Sequence, residues 1–75
     1  MSRVPRVTGA DTVAALLRGG MERSHIRGSH HFLRWPNGSR FVSIPVHAGK
    51  TLKVGTLAGI LDQAGLSVDA FIKLL

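Results

Sequence analysis

Between Arg27 and Pro45 the chain reads Arg27-Gly28-Ser29-His30-His31-Phe32-Leu33-Arg34-Trp35-Pro36-Asn37-Gly38-Ser39-Arg40-Phe41-Val42-Ser43-Ile44-Pro45. Asn-Gly between alternating apolar residues is the strongest short-range hairpin signal, because both central residues of a type I′ turn need positive φ. The spacing therefore predicts two antiparallel strands joined by a two-residue loop at Asn37-Gly38. In that register Trp35 lies across from Arg40, Leu33 from Val42 and His31 from Ile44. Leu33, Val42 and Ile44 make that side the core side. The opposite side carries His30, Phe32, Arg34, Phe41 and Ser43. A three-residue loop, Pro36-Asn37-Gly38, would shift the pairing by one, set Phe32 against Val42 and turn His30 inward. The first register is preferred because it gathers the aliphatic residues of both strands on one side.

With 75 residues the chain makes one small domain, with limited area to bury. An apolar fraction of 44% excludes a chain disordered by composition. No cysteine is present, which excludes disulfide staples and thiolate zinc sites. Ten Lys and Arg against four Asp and Glu give a net charge of +6, which on so small a surface favours polyanions through counterion release. No apolar run is long enough for a signal peptide or a membrane span, so a cytoplasmic protein is expected.

Met1 to Val7 is a short basic lead with Arg3, Pro5 and Arg6, expected to be mobile; residues 8–75 form the single domain. Thr8 with Asp11 resembles a capping box and begins a helix. Ala10, Val13, Ala14 and Leu17, with Leu16 beside them, give that helix an apolar face, and Gly19-Gly20 ends it. Met21 to Arg27 is a poor strand: Met21, Arg23 and His25 alternate with Glu22, Ser24 and Ile26, neither set strongly apolar, which suits an edge. Val46 to Lys53 is a loop. Leu57, Ile60, Leu61 and Ala64 stand at i, i+3, i+4 and i+7 in a second helix from Val54 to Ala64. Gly65 stops it, and Ser67 caps a short last helix through Leu74. The expected fold is α+β: helix, three strands, helix, short helix, with one antiparallel sheet. Two helices cover only one sheet face, so the other stays open in either register.

Gly20-Met21, Arg27-Gly28-Ser29-His30-His31, Arg34-Trp35-Pro36-Asn37-Gly38, Ile44-Pro45-Val46-His47, Gly49-Lys50, Leu52, Gly55-Thr56-Leu57, Ile60-Leu61 and Gln63-Ala64-Gly65-Leu66 stand in the order found in HicA toxins. The chain resembles that family from Thr8 to Leu75. The resemblance implies a fold like a double-stranded-RNA-binding domain, metal-independent cleavage of mRNA, and neutralisation by a HicB-like antitoxin. It also implies that His30, directly after Gly28-Ser29, is the catalytic residue. The chain departs from the family at Met21, where Phe or Trp is usual, at Arg23 and Ser24, where Val or Leu is usual, and at Trp35, commonly His. The changes at Met21, Arg23 and Ser24 point to a less buried or less stable first strand, the change at Trp35 removes one possible auxiliary acid or base, and none of them touches His30.

The chemistry needs little apparatus. A base that takes the proton of a ribose 2′-hydroxyl lets that oxygen attack the adjacent phosphorus, and cations stabilise the charge that develops. Histidine is the side chain whose ordinary titration lies nearest neutrality. Arg27, Arg34, Arg40, Lys50 and Lys53 are the candidate phosphate holders, arginine bidentately. Phe32 and Phe41 suit base stacking or, equally, a patch that the antitoxin buries. With Gly28 and Ser29 these residues form the expected RNA-binding set. No cofactor or metal is expected: Asp11, Glu22, Asp62 and Asp69 are scattered, and adjacent His30 and His31 point to opposite strand faces. His31 is expected to be structural, satisfied against Ile44, and His25 an exposed strand residue. The expected partners are mRNA and the antitoxin. Alone the chain is expected to be a monomer or weak dimer, and with antitoxin a hetero-oligomer. The competing reading is a non-catalytic RNA-binding module of the same fold.

Overall fold

A computed structural model describes residues 3–75 of the chain; the first two residues of the expected lead lie outside it. The elements are α1 (Gly9–Arg18), β1 (Glu22–Arg27), β2 (His30–Arg34), β3 (Phe41–Pro45), α2 (Val54–Ala64) and α3 (Val68–Ile72). The strands form one antiparallel sheet in the order β1-β2-β3. The chain is α+β with one open sheet face, as expected.

Local chemistry explains the helix ends. The Thr8 hydroxyl accepts from Asp11 N at 3.0 Å while the Asp11 carboxylate accepts from Thr8 N at 3.3 Å, so two orphan amides of α1 are satisfied reciprocally. Gly65 closes α2 at φ 77°, and Ser67 accepts from Ala70 N at 3.0 Å to start α3. The last helix ends at Ile72, two residues before the expected Leu74.

The core is built by Val13, Ala15, Leu16, Met21, Leu33, Val42, Ile44, Leu52, Leu57, Ile60, Leu61, Ala64 and Phe71. One expectation is corrected here: α1 buries Gly9, Thr12, Val13, Ala15 and Leu16, whereas Ala10 is exposed and Ala14 and Leu17 are half-buried. Thr12 enters the core because its hydroxyl donates to Thr8 O at 2.9 Å, which removes the cost of burying it. Gly9 lets the start of α1 lie directly on the end of β3, since a Cβ there would stand 2.1 Å from the Pro45 carbonyl oxygen. Val4 and Val7 pack against the core, and Val7 O accepts from Leu52 N at 2.8 Å.

The β2–β3 pairing sets His31 against Ile44, Leu33 against Val42 and Arg34 against Phe41, which is the preferred register. The loop differs from the expected two-residue turn. Asn37 has no positive φ, Gly38 N donates to Trp35 O at 2.9 Å, and Trp35 N donates to Arg40 O at 3.0 Å. Pro36 and Asn37 thus occupy the centre of a β-turn within a four-residue loop, where proline's fixed φ suits the first central position. The Asn37 carbonyl oxygen accepts from Ser39 N at 2.9 Å and Ser39 Oγ at 2.7 Å, a local bond that competes with a type I′ geometry. Widening the loop by one residue on each strand leaves side-chain parity intact, so the faces stay as expected. The tight two-residue turn is instead Gly28-Ser29, with φ 59° at Gly28 alone, the pattern of a type II′ turn.

Candidate nucleic-acid interface

The open face is assembled by register. His30 lies between Arg27 of β1 and Pro45 of β3, Phe32 between His25 and Ser43, and Arg34 between Glu22 and Phe41. Residues directly opposite across antiparallel strands share a face. A bulge at Ser24 breaks the expected alternation of β1: Arg23 pairs with Leu33 on the helix-covered side, and Glu22 takes its place beside Arg34. The sheet face therefore holds two arginines, Arg27 and Arg34, and one carboxylate. All six residues of β1 are exposed, as expected of an edge strand.

The site residues expected from sequence fall into two neighbourhoods. At the β1–β2 turn stand Arg27, Gly28, Ser29 and exposed His30. Ser29 O accepts from Val46 N at 2.8 Å, which ties the turn to the exit of β3. Pro45, the β3 partner of His30, also borders a cavity of 280 Å³ lined by His47, Lys50, Thr51, Leu52, Lys53 and Thr56. The expected cations Lys50 and Lys53 thus gather at the His30 end of the sheet. His47 joins them there.

The second neighbourhood is a cleft of 370 Å³ lined by Ser24, His25, Phe32, Arg34, Gly38, Arg40 and Phe41. Arg34 stands four residues along β2 from His30, about 13 Å by strand rise, so the two do not meet on one phosphate. Phe41 is 70% exposed. His25 and Phe32 are stacked, with ring centroids 4.3 Å apart and planes 7° from parallel. His25 joins the aromatic set that sequence reasoning confined to Phe32 and Phe41. Pairing it with Phe32 requires the register of an edge strand whose own composition says little.

Arg40 borders this cleft, but its guanidinium turns to α2. Its Nη1 donates to Asp62 O at 3.2 Å, and cross-strand Trp35 donates through Nε1 to Ala64 O at 2.9 Å. Both bonds satisfy carbonyls of the last turn of α2, where a cation also complements the helix dipole. His31 faces the helices with Ala10, Val13, Ala14, Leu17, Arg23 and Val46. The expectation that it is satisfied is corrected: its buried Nδ1 has no hydrogen-bond partner among the described residues, because the surroundings are mostly aliphatic. Among the described residues no three His, Asp or Glu side chains gather to hold a metal ion, and no helix is long and apolar enough to cross a membrane.

A search of curated proteins finds no match. The family described as "HicA toxin of bacterial toxin-antitoxin" matches residues 9–66, from the first residue of α1 to just past the Gly65 stop, and so includes both neighbourhoods of the open face. With the match spanning all three strands and both longer helices, the chain belongs to the HicA family of toxins of bacterial toxin–antitoxin systems.

Proposed function

We propose that this toxin is a metal-independent endoribonuclease that cleaves mRNA, with His30 as the general base. The observation that carries the reading is an exposed imidazole on the unpacked sheet face, paired across the strands with Arg27 and Pro45 beside the Lys50–Lys53 cavity. His30 takes the 2′-hydroxyl proton, a bond forms between O2′ and phosphorus, and the bond from phosphorus to O5′ breaks. Arg27 and Lys50 stabilise the added negative charge on the phosphoryl oxygens. The 5′-oxygen leaves with a proton from solvent. A site with one committed proton-transfer group turns over slowly, which a growth inhibitor tolerates.

Neutralisation follows from the same exposure. A HicB-like antitoxin with an acidic surface, laid over His30 and the surrounding cations in a cytoplasmic hetero-oligomer, excludes RNA. The test is labelled mRNA incubated with native protein and with His30→Ala, each with and without EDTA. Product is expected from the native protein in both conditions and none from His30→Ala, which still binds RNA. Undiminished cleavage by His30→Ala, or loss of native cleavage in EDTA, overturns the proposal; RNA binding without product leaves a non-catalytic RNA-binding module.

A further inference from the structure

We infer that the cleft between the stacked His25–Phe32 pair and Phe41 is a subsite for one unpaired nucleobase of the RNA strand, an inference that rests on the ribonuclease reading above. His25 reaches this face because it pairs with Phe32, one residue beyond the Ser24 bulge. Ser24 Oγ lies 3.0 Å from His25 Nδ1, within hydrogen-bond distance. That hydrogen bond, with the rings stacked face to face at 4.3 Å and 7°, fixes their orientation before any ligand arrives, so that a base stacks on an outer face of the pair. Phe41 bounds the other side and keeps 70% of its surface in solvent, and its cross-strand neighbour Arg34 lines the same cleft as a cation for the adjoining phosphate.

Such a site suits a base with both faces free. Aromatic side chains stack unpaired bases with little sequence preference, whereas a paired base has no face to offer. A strand bound at His30 and running along β2 toward Arg34 passes over this cleft. The subsite therefore selects single-stranded RNA and sets the position of the scissile bond from a neighbouring nucleotide.

The test uses the full chain carrying His30→Ala and a seven-nucleotide RNA with one 2-aminopurine. It is repeated with the RNA annealed to its complement and with an abasic residue at the labelled position. Fluorescence quenching is expected for the single strand, with binding at least about five-fold tighter than for the duplex. His25→Ala and Phe41→Ala, both at exposed positions, should each weaken binding by about five-fold or more and remove the quenching. His25→Phe should restore both, because stacking needs a flat ring and no imidazole. The abasic strand should bind as weakly as the variants and be insensitive to His25→Ala. Equal binding of duplex and single strand, or variants without effect, overturns the subsite; in the latter case the exposed aromatics serve a protein contact instead. In the native background, His30-dependent cleavage that is indifferent to His25 and Phe41 removes the subsite and leaves the ribonuclease standing. Quenching without any cleavage by the native protein does the reverse.

Discussion

Gly9→Ala tests how the first helix is fitted to the His30 end of the sheet. In most helical positions this exchange stabilises, by up to about 1 kcal/mol, because alanine has less backbone freedom to lose. At Gly9 the added methyl would lie 2.1 Å from Pro45 O, 3.0 Å from Val46 Cα and 3.1 Å from Pro45 C. All three are backbone atoms, so no rotamer change relieves the contact, and α1 and β3 must part by about an ångström. Overpacking of this kind costs roughly 1–3 kcal/mol, which exceeds the propensity gain. A net loss of about 1 kcal/mol lowers the melting temperature of a domain this size by roughly 4–8 °C. Gly59→Ala is the internal control: it sits in α2, exposed, with nothing within 4 Å of the new methyl, and should gain about 1 kcal/mol. Urea midpoints measured side by side decide the matter. A Gly9→Ala protein as stable as the native one would show that the helix and β3 are not packed this closely. Because Pro45 is the β3 partner of His30, the same variant should also slow RNA cleavage, whereas Gly59→Ala should leave it unchanged.

Trp35→Phe keeps most of the ring packing but removes the donor to Ala64 O, and should cost about 1 kcal/mol in chemical denaturation. His31→Leu replaces a buried nitrogen without a partner by an aliphatic side chain; it should raise stability by about 1 kcal/mol and leave cleavage unaltered, since His31 faces the helices. Lys50→Ala with Lys53→Ala should weaken RNA binding and reduce the slope of log affinity against log salt by about 0.7 for each phosphate that the protein ceases to neutralise. An unchanged slope would place those lysines off the RNA path.

The open sheet face is legible in the residue order because strand period and helix count are local properties. Leu33, Val42 and Ile44 alternate with His30, Phe32, Arg34 and Phe41, and two helices cannot cover both sides of one sheet. The capping pairs at Thr8 and Ser67 and the Gly65 stop are legible for the same reason, each being satisfied within a few residues. The orientation of α1 is not: Ala10 and Leu17 are as apolar as Ala15 and Leu16, and only docking against β3 chooses between the two faces. Nor is the turn at Asn37. Its side chain bonds to Ser39 and Pro36 prefers the first central turn position, two local choices that together outweigh the Asn-Gly preference.

Residue order alone is enough to establish the α-β-β-β-α succession and membership of a toxin family whose pattern spans residues 9–66; it prefers one register of β2 against β3, and the folded sheet decides that register and with it the exposure of His30. The grouping of the candidate site comes from the folded chain. The bulge at Ser24 exchanges Arg23 for Glu22 on the open face, β1 brings His25 onto Phe32, and the end of α2 draws the Arg40 guanidinium to itself. Each of these depends on a partner distant along the chain. Periodicity reports which way a side chain leaves its own strand; which groups it then meets is settled by the packing of one element on another.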